Sequence, residues 1–274
     1  MEKHDTDFWQ SPFLLVGVVH LLPLPGTPRF TGSFATVRER ALRDAEAYVR
    51  GGAHALLIEN FGDVPFHKER VEPHVIAAMA LIVEDIRRAT GLPIGVNVLR
   101  NDALAALGIA AATGARFVRV NVHVGAMLTD QGIIEGKADE TLRYRTLLGA
   151  SVQIWADVHV KHGTPLAPQS LEEAAVETVE RGLADALIVT GSSTGQPPRL
   201  EDATSIRQRL PGVPLLLGSG ITPQNVAPFL SVANGAIVGT WAKVDGIVHN
   251  PVDEHRVRQL VQTIAALVSI RHAG

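Results

Sequence analysis

The sequence predicts an α/β protein folded as a single (β/α)8 barrel of the TIM type, and three observations carry that expectation. Eight short apolar runs, β-branched or leucine-rich and bounded by Gly, Pro or polar residues, punctuate the 274 residues. A pattern of helical period follows each run. The length is close to the roughly 250 residues typical of such barrels, and no Gly-rich dinucleotide turn follows the first run. Strict alternation leaves an open doubly wound sheet as the other choice; the count of eight and the missing turn favour closure.

The strands are expected at FLLVGVVH (13–20), HALLIEN (54–60), LPIGVNV (92–98), RFVRVNV (116–122), SVQIWADVHV (151–160), DALIVTG (185–191), VPLLLG (213–218) and GAIVG (235–239). The first helix, 36–51, puts Val37, Ala41, Leu42, Ala45 and Val49 on one stripe. Thr36 with Glu39 reads as its capping box and Gly51-Gly52 as its stop. The second, 73–90, begins at a proline; the third, 101–113, opens on Asn101-Asp102 and stops at Gly114. Further helices are expected over 138–148, 169–182, 200–210, 222–231 and 253–271. No linker, low-complexity tract or fixed-period repeat divides the chain, so 1–274 reads as one domain with 1–12 as an N-terminal extension. The loops after the first, second and fourth strands (21–35, 61–72, 123–137) are the longest, and all leave strand C-termini, where a barrel builds its site. They are lid candidates, Asp63 and Lys68 among their residues, although a solvated loop is the simpler account of that pair.

Composition excludes several classes. The 25 Lys and Arg against 28 Asp and Glu give a net charge of −3, which offers no footing for nucleic acid or an anionic membrane surface. Absence of cysteine rules out disulfides and thiolate metal sites. The polar start MEKHDTDFWQSP lacks the pattern of a signal peptide, and no apolar run is long enough for a membrane span. A cytoplasmic protein is expected.

Chemistry is expected at the strand C-termini. Gly218-Ser219-Gly220 follows the seventh predicted strand and Gly239-Thr240 the eighth. Barrels commonly bind phosphate at these two loops, because glycine lets backbone N–H groups approach an anion. Thr190, Gly191 and Ser192 after the sixth strand add hydroxyls. The bland account of any one such turn is a tight bend; two at adjacent strands argue for a phosphorylated small-molecule ligand.

Alternation along the strands sorts the polar residues. In the fifth strand Ile154, Ala156, Val158 and Val160 share one face, Trp155, Asp157, His159 and Lys161 the other; in the fourth, Val118, Val120 and Val122 oppose Arg119, Asn121 and His123. The aliphatic faces should meet the helices and the polar faces the barrel interior. With His20, Glu59 and Asn97, the mouth would hold two carboxylates and three imidazoles suited to general acid–base work. Glu59, Asp157, His159 and His123 are the catalytic candidates, and His20, Asn97, Asn121 and Lys161 the substrate-binding ones. The same set suits a divalent metal, though no compact metal motif is present. Lys161 at an apolar strand end is of the kind that forms Schiff bases, unless it is solvated. His54, His67, His74, His249 and His255 read as ordinary hydrogen-bonded residues, and Trp155 and Trp241 as packing or stacking rings.

The strings GVVHLLPLPGTP (17–28), LLIENFGDVPF (56–66), GVNVLRND (95–102), RVNVHVGAMLTDQGIIEG (119–136), ADVHVKH (156–162), VTGSSTG (189–195) and LLGSGITPQNV (216–226) resemble the BtpA family, which includes SgcQ-type proteins. The resemblance runs over roughly 13–270 and implies a ribulose-phosphate-binding barrel. It implies two functions: a link to photosystem I accumulation for the founding cyanobacterial member, and to sugar-phosphate metabolism for SgcQ-type members. Two readings follow. One is an isomerase, epimerase or lyase acting on a phosphorylated sugar or related metabolite; the other is a non-catalytic assembly factor that keeps a phosphate-binding barrel. A homo-oligomer is the expectation for both.

Overall fold

Short buried strands followed by amphipathic helices have few ways to cover both sheet faces, and closure into a barrel is one. The computed structural model describes residues 7–191 and 193–273. Its strands are β1 (Leu14–His20), β2 (Ala55–Glu59), β3 (Ile94–Asn97), β4 (Phe117–Val120), β5 (Ala126–Thr129), β6 (Gly132–Glu135), β7 (Gln153–Val158), β8 (Gly163–Pro165), β9 (Ala186–Val189), β10 (Leu215–Leu217) and β11 (Gly235–Val238). The helices are α1 (Phe34–Gly51), α2 (Pro73–Thr90), α3 (Ala103–Thr113), α4 (Ala138–Leu147), α5 (Leu171–Glu180), α6 (Leu200–Arg209) and α7 (Glu254–Ala273). Eight strands close in the order β1, β2, β3, β4, β7, β9, β10, β11 and back to β1, so the chain is a (β/α)8-type barrel.

Two expectations need correction. The predicted helix 222–231 is only a 3-10 turn, Ala227–Ser231. The Asn225 side chain accepts from the Thr222 amide at 2.8 Å, which holds the chain in a turn. Pro223 and Pro228 withhold two helix donors. The cap of α1 is Ser33, whose hydroxyl accepts from the Thr36 amide; the Thr36–Glu39 box does not start the helix. Elsewhere the caps fall as read: Asp102 for α3, and the glycines Gly52, Gly91 and Gly114 in left-handed conformation after α1, α2 and α3.

The expected faces hold. Val118, Val120, Ile154 and Val158 pack outward with the helices. Phe117 and Trp155 point inward with Leu14, Val16, Leu57, Ile188 and Ile237. Their rings stack at 3.7 Å, and Phe8 sets its edge against each at 5.9 Å. The N-terminal segment thereby plugs the end of the barrel where the strands begin. Gly95, opposite Phe117 in register, makes room: a Cβ there would lie 2.1 Å from that ring. Trp155 is therefore a core residue, its indole N–H donating to Gln153 at 2.8 Å. At the same end His54 accepts from the Leu15 amide, Asp185 from Ile154 and Asn234 from Leu215, each tying one strand start to its neighbour.

At the opposite end the long loops are fastened. The Asp63 carboxylate accepts from the Leu24 amide (2.8 Å) and Asn60 Nδ2 (3.0 Å), while Asn60 Oδ1 accepts from the Leu99 amide (2.7 Å). Asp63 is thus a buried staple between the first two loops, whereas Lys68 faces solvent beside Glu69. The loop after β4 is a hairpin, β5–β6, extended by β8 from the loop after β7 into a three-stranded ribbon. Val122, Met127, Ile134 and Val160 form a small core beneath it.

Candidate functional site

Strand register builds the site. His20 lies opposite Glu59, and Glu59 opposite Asn97, so adjacent C-terminal ends of β1, β2 and β3 present one polar row. Asn97 Nδ2 donates to Glu59 Oε2 at 2.9 Å, and Arg119 Nη1 approaches the same oxygen at 3.9 Å. Glu59 Oε1 accepts from no group among the described residues. Arg119, inward from β4, forms a fork with Asp157: Nε to Oδ2 at 3.1 Å and Nη2 to Oδ1 at 3.0 Å. Asn121 Nδ2 adds a third bond to Asp157 Oδ2 at 2.7 Å. Both oxygens of Asp157 are therefore committed, and its side chain is fully buried. Burial works against the Arg119 charge, but Asp157 and Glu59 more than offset it and raise its pKa.

Two cavities meet here. The larger, about 520 Å³, is lined by Asn97, Asn121, Arg100, Phe61, Phe66 and His162 among others. The narrower runs under Gly218, Ser219, Gly220, Gly239, Thr240 and Trp241 and includes His20. Glu59, Arg119, Lys161 and Thr194 line both. Burial, and then the Arg119 charge, lower the Lys161 ammonium from 10.5 to about 8. His20 is held well below 6.5 by burial and by the cations Lys243, Lys161 and Arg119, so it stands neutral. Three basic side chains (Arg100, Arg119, Lys161) stand against three acidic ones (Glu59, Asp130, Asp157) at this site.

The glycines have local causes. A Cβ on Gly218 would lie 2.5 Å from the Thr190 methyl, and one on Gly220, whose φ is +68, would lie 2.1 Å from Pro197 N. Gly239 makes room for the His20 ring. Gly191 abuts the Gln196 carbonyl, and Ser219 Oγ donates to it at 2.7 Å. These contacts draw the loops after β9 and β10 together and set Gly239, after β11, against the end of β1. Among the described residues, no acceptor is assigned to the amides of Ser219, Gly220 and Ile221. Thr190 Oγ1 is buried without a partner among them. Ser192 lies outside the described residues. Trp241 lines the narrow cavity with the Arg256 guanidinium 3.9 Å over its ring.

Two sequence candidates stand elsewhere. Past Val120 the chain leaves the strand, and His123 Nε2 pairs with the Gly182 carbonyl at 2.7 Å behind the barrel wall. His159 adopts φ +49, which breaks the alternation, and its buried Nε2 has no hydrogen-bond partner among the described residues. Burial lowers both imidazoles below 6.5. Among the described residues, no three His, Asp or Glu side chains gather where a metal ion could be held. Arg119 and Arg100 were not singled out from sequence. The signal for Arg119 was present, since it shares a strand face with Asn121; Arg100 arrives from a loop, where alternation says nothing. A cavity of about 510 Å³ at the plugged end, beside Phe8 and Gln153, has Arg116 as its one charged lining residue.

The BtpA family model matches residues 13–266. The chain belongs to the BtpA family. Among this family chain's relatives is the photosystem I biogenesis protein BtpA of Synechocystis, 46% identical over 92% of this chain and 88% of that one. An uncharacterized protein of Pyrococcus furiosus is 44% identical over 97% and 99%. Among solved structures, (S)-3-O-geranylgeranylglyceryl phosphate synthase from Thermoplasma acidophilum, in complex with its substrate sn-glycerol-1-phosphate, aligns with a TM-score of 0.59 at 14% identity, covering 94% of this chain and 95% of that one. That likeness fixes the barrel fold for this BtpA family chain. No helix among its described residues is long and apolar enough to cross a membrane.

Proposed function

We propose that this protein is an enzyme that binds a phosphorylated small molecule across the two joined cavities and works on it by acid–base chemistry. The observation that carries the reading is Glu59: a buried carboxylate with one oxygen uncommitted, lining both cavities between the glycine turns and the polar row. The phosphate would lie against the amides of Ser219 to Ile221 and beside Thr240, in the field of Lys161 and Arg119. The body of the substrate would fill the larger cavity, with Asn97 and Asn121 near its hydroxyls. Glu59 would take and return a proton, as isomerisation, epimerisation or C–C cleavage each require. Asp157 would serve by holding Arg119 in place. The Thermoplasma acidophilum synthase that shares this fold, in complex with sn-glycerol-1-phosphate, agrees with this class of ligand.

The test is a thermal-shift screen with inorganic phosphate and with triose, pentose and hexose phosphates. A ligand at about 100 times its Kd adds about 2.7 kcal/mol, which raises Tm by about 5 °C or more for a chain this long. Thr240→Glu, which sets a carboxylate in the narrow cavity, should abolish the shift. Glu59→Gln should keep it and cut turnover of the ligand found by about 10² to 10⁴. A second reading, a non-catalytic assembly factor, is favoured by the name of the Synechocystis relative and by the exposed pair Leu128 and Ile133, directly opposite each other on the ribbon. No thermal shift from any phosphorylated ligand would select it.

A further inference from the structure

Resting on that reading, we propose that the Lys161 amine is the covalent nucleophile of the site, forming an iminium with an aldehyde or ketone carbonyl of the phosphorylated substrate. The chain has five lysines, of which four lie among the described residues. Lys68 and Lys137 pair with Glu69 at 3.5 and 2.9 Å. Lys243 is fully buried against Asp44 at 3.2 Å. Lys161 alone of the four has no carboxylate within ion-pair distance, and it alone lines the cavities. Its backbone is pinned, because Arg100 Nη2 donates to the Lys161 carbonyl at 2.8 Å.

The charges around the amine come from every side. Arg119 from β4 and Arg100 from the loop after β3 favour the neutral form; Glu59 from β2 and Asp157 from β7 oppose it. Burial decides the balance, and the ammonium falls to about 8. At pH 7.5 about a quarter of Lys161 is then free amine, against about a thousandth of an ordinary lysine. A free amine lining a cavity, with a carboxylate that has an open oxygen lining it too, is what imine chemistry needs.

The step balances without any other reactant. The nitrogen lone pair attacks the carbonyl carbon and the C=O π pair becomes a hydroxyl, taking its proton from the amine. The hydroxyl leaves as water on gaining one more proton from solvent, and the nitrogen closes the C=N bond as a protonated imine, which carries that positive charge. Glu59 then removes a proton from the adjacent carbon, or from a hydroxyl one carbon further on with C–C cleavage. In either case the freed electron pair flows into the iminium to give an enamine. Reprotonation and hydrolysis return lysine and product.

The experiment is borohydride trapping on the full chain, with glycolaldehyde phosphate and dihydroxyacetone phosphate as probes and unphosphorylated glycolaldehyde as comparison, read by peptide mass spectrometry. The expected result is one reduced adduct on Lys161, favoured at least about 10-fold over Lys68 and Lys137 at pH 7.5 on the ratio of free amine. It should be lost in Lys161→Met, weaker with the unphosphorylated probe, and competed by inorganic phosphate. Lys161→Arg, which keeps the charge, should also lose the adduct while melting near the parent temperature. An unlabelled Lys161, or labelling spread by exposure alone, overturns the proposal. If the probes still raise Tm in that case, the anion site survives and only the nucleophile is wrong. If they do not, the phosphorylated-ligand reading falls with it.

Discussion

At the residue scale, two carboxylates that look alike in sequence have opposite duties. Glu59 and Asp157 both stand at strand C-termini on inward faces, and alternation brings both to the mouth. Partner count separates them: Asp157 receives three hydrogen bonds, Glu59 one, with Arg119 at 3.9 Å. No spacing rule encodes that, because the partners come from other strands. Asp157→Asn should leave Arg119 buried with half its fork, costing about 3–5 kcal/mol in a urea unfolding curve. Glu59→Gln keeps the Asn97 contact through its amide oxygen and should stay within about 1 kcal/mol of the parent. If Asp157→Asn unfolded at the parental midpoint, the view of Asp157 as an anchor would be wrong. His123 and His159 misled for a related reason: alternation holds only while the strand lasts, and β4 stops at Val120 and β7 at Val158.

At the element scale, caps and punctuation were well written in the sequence. Gly52, Gly91 and Gly114 stop three helices in the left-handed region, and Asp102 and Ser170 cap α3 and α5. The ribbon of β5, β6 and β8 was not legible, since β5 pairs with a strand from another loop, Met127 with Pro165 and Thr129 with Gly163, and no local pattern encodes that pairing. Closure of the barrel depends on β1 meeting β11, the first and last strands. Tyr48 on α1 guards that seam: its hydroxyl lies 3.1 Å from the Val18 carbonyl and 2.9 Å from that of Val238, and its ring fills the space over Gly17. Tyr48→Phe removes the one donor shared by both strands. It should cost about 1–3 kcal/mol and speed amide exchange along β1 and β11 before other strands, as hydrogen-exchange mass spectrometry would show.

At the scale of the whole molecule, five histidines that resist protonation set the acid limit. His20, His54, His123, His159 and His162 each have a folded pKa below 6.5, with burial as the first cause. Folded, they take protons at lower pH than when unfolded, where they titrate near 6.5. The unfolded chain therefore binds more protons as pH falls through about 6.5, and stability is lost below that value while these residues contribute little change between pH 7 and 8. Urea midpoints at pH 7, 6 and 5 should show the histidine-linked fall over the last two, below the range in which Lys161 titrates. His123→Gln, away from the site, should flatten part of it; an unchanged slope would mean that His123 is protonated in the native state.

The aromatic stack at the base, Phe8 against Phe117 and Trp155, has a kinetic corollary. With that end shut by side chains, traffic through the barrel is one-way-street geometry in reverse: a cul-de-sac. Whatever arrives at Glu59 and Lys161 must back out past the same rim before the next molecule enters. Under the proposed reading, the single product of an isomerisation or epimerisation should then compete with substrate, and nothing can be handed from one face of the barrel to the other.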